Sequence, residues 1–361
     1  MAVSIPQKLS AKFKGVSFIC ALLVVLLHSY TQAMDSTTGA LHLFGWFLCV
    51  GICGIAVPFF FIISGYLLAY QVDDGVPYSR LVTKRLKSLG LPYLYWCLIY
   101  TVTYVAFTIY GNHLAGRPLD TNTSLILPLT SWQNPFRLFG FDMFLFPADG
   151  PLWYVRNLML LVIASPLLLV TMKKKATSLI ILAIFAFLYI VHFMIPRPWW
   201  QFFETGFSTR GFLFFSLGIY LKRFPVSWKP NLGTTLGLCL VWFLLAWPWK
   251  IPHDYAYILL HLAYPVGCLS LWYIFDFLPF IDILENTLVV KYSFFIFASH
   301  YAILNILFCQ KACDLLKRHV MNSELMVYVL RFVVTAVVSI ALAYILEHFM
   351  PKLYKALTGG R

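Results

Sequence analysis

The chain has 361 residues, 61% of them hydrophobic and 11% charged, and its formal net charge is +13. No water-soluble domain needs that apolar share to fill its core, so composition places the chain in a bilayer. The basic surplus flanks apolar runs instead of gathering in one patch, which argues against nucleic acid as a partner and for membrane topology and anionic lipid headgroups.

A hydrocarbon slab is crossed by roughly 20 apolar residues rising 1.5 Å each. Such runs predict an all-α integral membrane protein with about ten spans, at 16–33, 43–70, 91–110, 152–171, 177–195, 207–221, 233–249, 257–277, 289–309 and 325–348. The start of the chain is basic and then apolar, as in a signal peptide, but no small-residue cleavage site follows Tyr30, so the first run is read as a span. The second run is long enough to tilt, and Pro58 is expected to kink it. Lys8, Lys12, Lys14, Arg80, Lys84, Arg85, Lys87, Lys173, Lys174, Lys175, Lys222 and Arg223 fall on one side of these spans. The positive-inside preference makes that side cytoplasmic, and an even number of spans then puts both termini there. The connection at 111–151, rich in Pro, Asn, Asp and aromatics, is expected to form an ordered lid, with 128–144 lying along the interface as a short amphipathic helix. No repeat or low-complexity tract divides the chain, so 1–361 is read as one transmembrane domain with 351–361 as a short cytoplasmic tail. The cysteines fall almost wholly within spans, and Cys49/Cys53 and Cys309/Cys313 are spaced by four. Neither pair resembles a zinc site, so they are read as apolar filling and no metal is expected.

The chain contains no GxxxxGK, GxGxxG, GxSxG or HExxH stretch. Chemistry must therefore come from ionisable groups inside the spans, which are costly in a bilayer and are functional candidates by default. His28, Arg156, Arg210, His300 and Arg331 sit on five different spans at similar depth, between the midplane and the outer surface, His28 at roughly 18 Å from Val16. Histidine can take a proton and return it near neutrality, while arginine stays charged and can stabilise an anion. Asp142, Asp149 and Glu204 lie in the region from which a carboxylate partner would come. A buried base among guanidinium groups suits group transfer to a hydroxyl, and it equally suits a proton-coupled transporter or exporter.

Several stretches together resemble the membrane acyltransferase-3 family: LLVVLLHSY at 22–30, VPFFFIISGYLL at 57–68, TKRLKSLGLPYLYW at 83–96, GPLWYVRNLMLLVIASPLL at 150–168 and SFFIFASHYAIL at 293–304. FFSLGIYLKR at 214–223 is a weaker similarity. The resemblance implies a multi-pass enzyme of a bacterial-type inner membrane. Such an enzyme moves an acyl group, often acetyl, from cytoplasmic acyl-coenzyme A to a hydroxyl of a cell-envelope glycan or lipid-linked sugar at the outer face, with no bound cofactor. His28 matches the family's catalytic first-span histidine. Where the family usually carries Arg or Lys eleven residues earlier, this chain has Ser17, and Lys14, one turn nearer the cytoplasm on the same face, is expected to substitute. Lys14, Ser64, Lys84, Arg85 and Lys87 are accordingly expected at the donor, Trp153 and Tyr154 at the acceptor, and His28, Arg156, Arg210 and His300 at the chemistry, with one of the last three stabilising the oxyanion. The transporter alternative predicts an internal repeat and interrupted helices in matching halves, and the sequence shows neither.

Overall fold

The computed structural model describes residues 6–30, 39–114, 116–118, 138–141, 143, 146–195, 199–249, 253–277, 289–308 and 323–360, and among these there is helix and no strand. The expected interfacial stretch at 128–144, Asp142, and the Cys309/Cys313 pair lie for the most part or wholly outside the described residues. Among the described residues, seven helical segments are long and apolar enough to cross a membrane. They are α1 (Gln7–Ser29), α2 (Ala40–Asp73), α3 (Tyr78–Leu114), α4 (Trp153–Thr171, preceded by a 3-10 turn from Gly150), α8 (His253–Ile274), α9 (Ser293–Leu307, preceded by a 3-10 turn from Val290) and α10 (Glu324–Phe349). Two shorter apolar helices, α5 (Lys175–Val191) and α7 (Leu232–Ala246), and the 15-residue α6 (Thr209–Arg223) occupy the other predicted positions. The outward faces of α3, α4, α5 and α7 carry Val102, Leu167, Phe187 and Leu240, each more than half exposed, an apolar surface suited to lipid.

Three features depart from the sequence reading. The irregularity in α2 comes before Pro58: a π-helical stretch, Phe47–Ile52, and a 3-10 turn, Cys53–Ile55, precede the regular helix Ala56–Asp73. Pro58 lies in the first turn of that regular segment, where its missing N–H costs least. Helix α3 begins at Tyr78, well before the predicted apolar run, so Arg80, Lys84, Arg85 and Lys87 stand on the helix itself. Lys, Arg and Leu are good helix formers, and a scan for apolar runs passes over the stretch because Lys and Arg are charged. The expected tail is instead a docked amphipathic helix, α11 (Pro351–Thr358), whose Leu357 carbonyl accepts a 3.0 Å hydrogen bond from the Trp96 indole of α3.

The core runs through α1, α2, α4, α6 and α9. Helices α2 and α6 approach backbone to backbone. A Cβ on Gly65 would stand 2.0 Å from the Phe215 carbonyl oxygen, and one on Gly218 would stand 2.1 Å from that of Ile62. Gly65 is thus a packing residue, as small residues between membrane helices usually are. At the basic end, the Arg223 guanidinium grips both Asp73 oxygens, at 3.0 and 2.7 Å, and donates to the Leu169 carbonyl, tying α6 to α2 and α4. Lys12 pairs with Asp276 at 2.7 Å and lies 3.8 Å over the Trp272 ring, tying α1 to α8. The described cysteines form no disulfide with one another.

Candidate active site

A cavity of about 780 Å³ opens at the end of the bundle that carries the basic residues. Along α1 it is lined by Ser10, Phe13, Lys14 and Ser17, which recur at helical spacing on one face. Its polar wall is completed by Ser64 of α2, by Lys84 and Arg85 of α3, and by Lys291 just before α9. Four of the five residues expected at a donor are therefore brought to one cavity. Ser64 and Arg85 also touch, the guanidinium donating to the Ser64 carbonyl at 3.4 Å. Lys87 faces elsewhere, into a shallow groove with Ser79, Arg80 and Thr83 that shares Lys84 with the cavity. Lys291 also joins the cavity while pairing with Glu347 at 2.7 Å. Its signal in the sequence is its place two residues before SFFIFASHY.

The inner end of the cavity is closed by three rings that touch one another in a triangle. Phe60 lies 5.5 Å from Tyr154 and 5.9 Å from Phe297, and Tyr154 lies 5.6 Å from Phe297. Tyr154, expected at the acceptor, is thus a wall between the cavity and what lies beyond it. Trp153 is partly buried against Phe61 and does not line the cavity.

Beyond the triangle stand the two histidines. His300 is one turn past Phe297 on α9, and its ring lies 5.2 Å from that of His28, centroid to centroid. His28 is in the last turn of α1, on the face that carries Ser17 and about three turns further along. The His300 Nδ1–H is directed to the Phe297 carbonyl, so its buried Nε2 carries the lone pair, and that atom has no hydrogen-bond partner. Tyr301 meets His28 edge to face at 5.4 Å and stacks on Tyr100 of α3 at 5.4 Å. Arg331 of α10 donates to the carbonyls of Ser29, at 2.9 Å, and Phe308, at 3.3 Å, holding the end of α1 in place just beyond His28.

The structure does not gather the other two arginines here. Arg156 is buried and donates to the carbonyls of Gly140 and Thr205, the latter at 2.9 Å. Its neighbour Asn157 donates to the Thr205 carbonyl and accepts from the Ser208 N–H at 3.0 Å. The pair clips α4 to the connection before α6. Sequence reasoning passed over Asn157, whose only mark is a second polar residue in an apolar helix. Arg210 belongs to a separate buried cluster, donating to Glu204, which also meets the His192 Nε2 at 2.8 Å; the other ring nitrogen of His192 faces the Tyr189 carbonyl at 2.7 Å. Glu204 lies in the connection between α5 and α6. Burial alone would raise its carboxyl, but Arg210 and His192 outweigh that and hold it down, at about 2. Among the described residues no group of three or more His, Cys, Asp or Glu is placed to hold a metal ion.

A cationic mouth and a histidine pair beyond an aromatic layer are chemically suited to group transfer from an anionic donor. A family model described as an acyltransferase domain matches residues 13–348. The chain belongs to that acyltransferase family. The matched range holds every residue of the cavity, the aromatic triangle and the histidine pair except Ser10. Over 213 residues the chain is 27% identical to the succinoglycan biosynthesis protein ExoH of Rhizobium meliloti (strain 1021), an alignment that covers 57% of this chain and 52% of the relative. The chain thus spans about half the length of that curated relative. No solved structure matches the chain.

Proposed function

We propose that this protein is a membrane O-acyltransferase that moves an acyl group, acetyl in the first instance, from acyl-coenzyme A to a hydroxyl of a cell-envelope polysaccharide or its lipid-linked precursor, in the inner membrane of a bacterial-type cell. The observation that carries the reading is the cavity itself: cations gather at its mouth and its far end stops one aromatic layer short of the His28–His300 pair. Lys14, Lys84, Arg85 and Lys291 suit the phosphates of coenzyme A, and the cavity's volume is within the usual range for a small-molecule site. The pantetheine arm runs inward past Ser17 and Ser64, and the thioester passes the Phe60–Tyr154–Phe297 triangle to reach His28. With the basic end on the cytoplasmic side, the donor enters from the cytoplasm and the acceptor meets His28 from the outer side.

In the reaction, the free imidazole nitrogen of His28 takes the proton of the acceptor hydroxyl while that oxygen bonds to the thioester carbonyl carbon. The C–S bond then breaks, and the coenzyme A thiolate leaves with the proton from His28 as the free thiol. The lone pair on His300 Nε2 gives the same proton a second seat beside the first. Arg156 and Arg210, engaged with backbone carbonyls and with Glu204, act as positioning residues of the outer wall and not as oxyanion partners. The test is transfer of labelled acetyl from acetyl-coenzyme A by purified protein in nanodiscs, wild type against His28→Ala. The acceptor is surface polysaccharide extracted from cells deleted for the protein. Wild-type transfer that vanishes in the variant supports the reading. No transfer by wild type, or full transfer by the variant, overturns it.

A further inference from the structure

On the side of His28 away from the cavity, tyrosine rings form a ladder. Tyr301 touches His28, Tyr100 stacks on Tyr301 with an interplanar angle of 19°, and Tyr104 stacks on Tyr100 at 6.1 Å. The ladder runs from the buried histidine to partly buried Tyr104 and, at the end of α9, exposed Asn305, whose amide donates to the Tyr301 carbonyl at 2.8 Å and lies 3.5 Å from the Tyr100 hydroxyl. Stacked tyrosines alone are ordinary packing. What sets this place apart is Asp149, on the turn that leads into α4. Its side chain is 1% exposed, and neither carboxyl oxygen has a hydrogen-bond partner. A Cβ on the adjoining Gly150 would sit 3.8 Å from the Tyr301 ring, which puts this turn against the ladder. A buried carboxyl with both oxygens unpartnered is costly, and hydroxyl groups from outside the chain are one way to complete it.

We propose that Asp149, Tyr100, Tyr301 and Asn305 form the acceptor subsite, which takes a neutral sugar ring presenting adjacent hydroxyls to the Asp149 carboxyl and the hydroxyl to be acylated to His28. Hydroxyls satisfy a carboxyl in pairs, and tyrosine and asparagine supply the mixed apolar and hydrogen-bonding walls that a sugar ring needs. None of the four residues is cationic, so nothing among them balances an acidic sugar. The subsite places donor and acceptor on opposite sides of one histidine. The inference rests on the acyltransferase reading above and assigns that enzyme's acceptor side.

The experiment uses the same nanodisc protein, acetyl-coenzyme A and unmodified polysaccharide, with coenzyme A binding measured in parallel. Asp149→Asn is expected to raise the acceptor KM about 10-fold or more, the size of a lost hydrogen bond to a charged or buried carboxyl, with coenzyme A affinity unchanged. Asn305→Ala, at an exposed position that does not endanger folding, is expected to raise the acceptor KM roughly threefold. If His28→Ala abolishes transfer while both variants keep the wild-type acceptor KM, the subsite is wrong and the enzyme reading stands. A loss of coenzyme A affinity in Asp149→Asn with its melting temperature intact also overturns the subsite, by putting Asp149 on the donor side. Absence of transfer by wild type defeats the enzyme reading itself, and the subsite falls with it.

Discussion

Replacing Arg85 by alanine tests how the donor is held. The guanidinium lines the cavity mouth with Lys14, Lys84 and Lys291 and reaches the Ser64 carbonyl at 3.4 Å. A charge-assisted hydrogen bond to phosphate is worth about 1.5–3 kcal/mol. Loss of one such contact therefore weakens coenzyme A binding by roughly 10- to 150-fold, at 1.4 kcal/mol for each tenfold. Isothermal titration of coenzyme A into nanodisc-embedded protein measures this, and the affinity should also fall with added salt because the mouth is open to solvent. Arg223→Ala is the control: its guanidinium is already engaged by Asp73 and Leu169, outside the cavity lining, so it should lower thermal stability and leave the affinity alone. Equal affinities for wild type and Arg85→Ala, with the same melting temperature, would refute a donor site at this mouth.

Opening the aromatic triangle should uncouple the reaction. Tyr154→Ala or Phe60→Ala is expected to raise acceptor-independent hydrolysis of acetyl-coenzyme A severalfold, because the rings are the barrier between the cavity and the histidine pair; thiol release without polysaccharide is the readout, and an unchanged rate counts against the barrier. Gly65→Val and Gly218→Val each force a side chain into a facing carbonyl and should cost about 3 kcal/mol or more, seen as a lowered melting temperature in detergent. Native-like melting of both would show that α2 and α6 do not approach as closely as described. Glu204 is held down to about 2 from 4.5, so its contribution to stability is complete above pH 4.5 and is lost as pH falls through 2. Melting curves of wild type should therefore drop between those values more steeply than those of Glu204→Gln, and parallel curves would remove the Arg210–Glu204–His192 cluster as the cause.

What the sequence by itself determined is the part that depends on composition and one-dimensional spacing. Apolar runs of membrane length, the uneven distribution of lysine and arginine between the two sides, and ordered family stretches were enough for an all-helical membrane protein of the acyltransferase family. Spacing along α1 was enough to put Lys14, Ser17 and His28 on one face, because a helix keeps its own periodicity whatever packs against it. The apolar scan lost α3's first turns and the docking of α11, since charged and amphipathic helices carry no hydropathy signal of their own.

Tertiary packing decided which buried polar groups meet. Depth counted from span ends put His28, Arg156, Arg210 and His300 at one level, but depth says nothing about azimuth. Only helix packing turns His300 toward His28, gives Arg156 to the Gly140 and Thr205 carbonyls, and gives Arg210 to Glu204. The same holds for Tyr154, which becomes the inner wall of a cavity because α2 and α9 bring Phe60 and Phe297 against it. Asp149 is the clearest case. In sequence it is one acidic residue before GPLWYVRN, and its meaning comes from packing that leaves its carboxyl buried and unpartnered close to Tyr301, the ring that meets His28. An unmet hydrogen-bonding need is a property of the space around a group, and that space exists only once the helices are assembled.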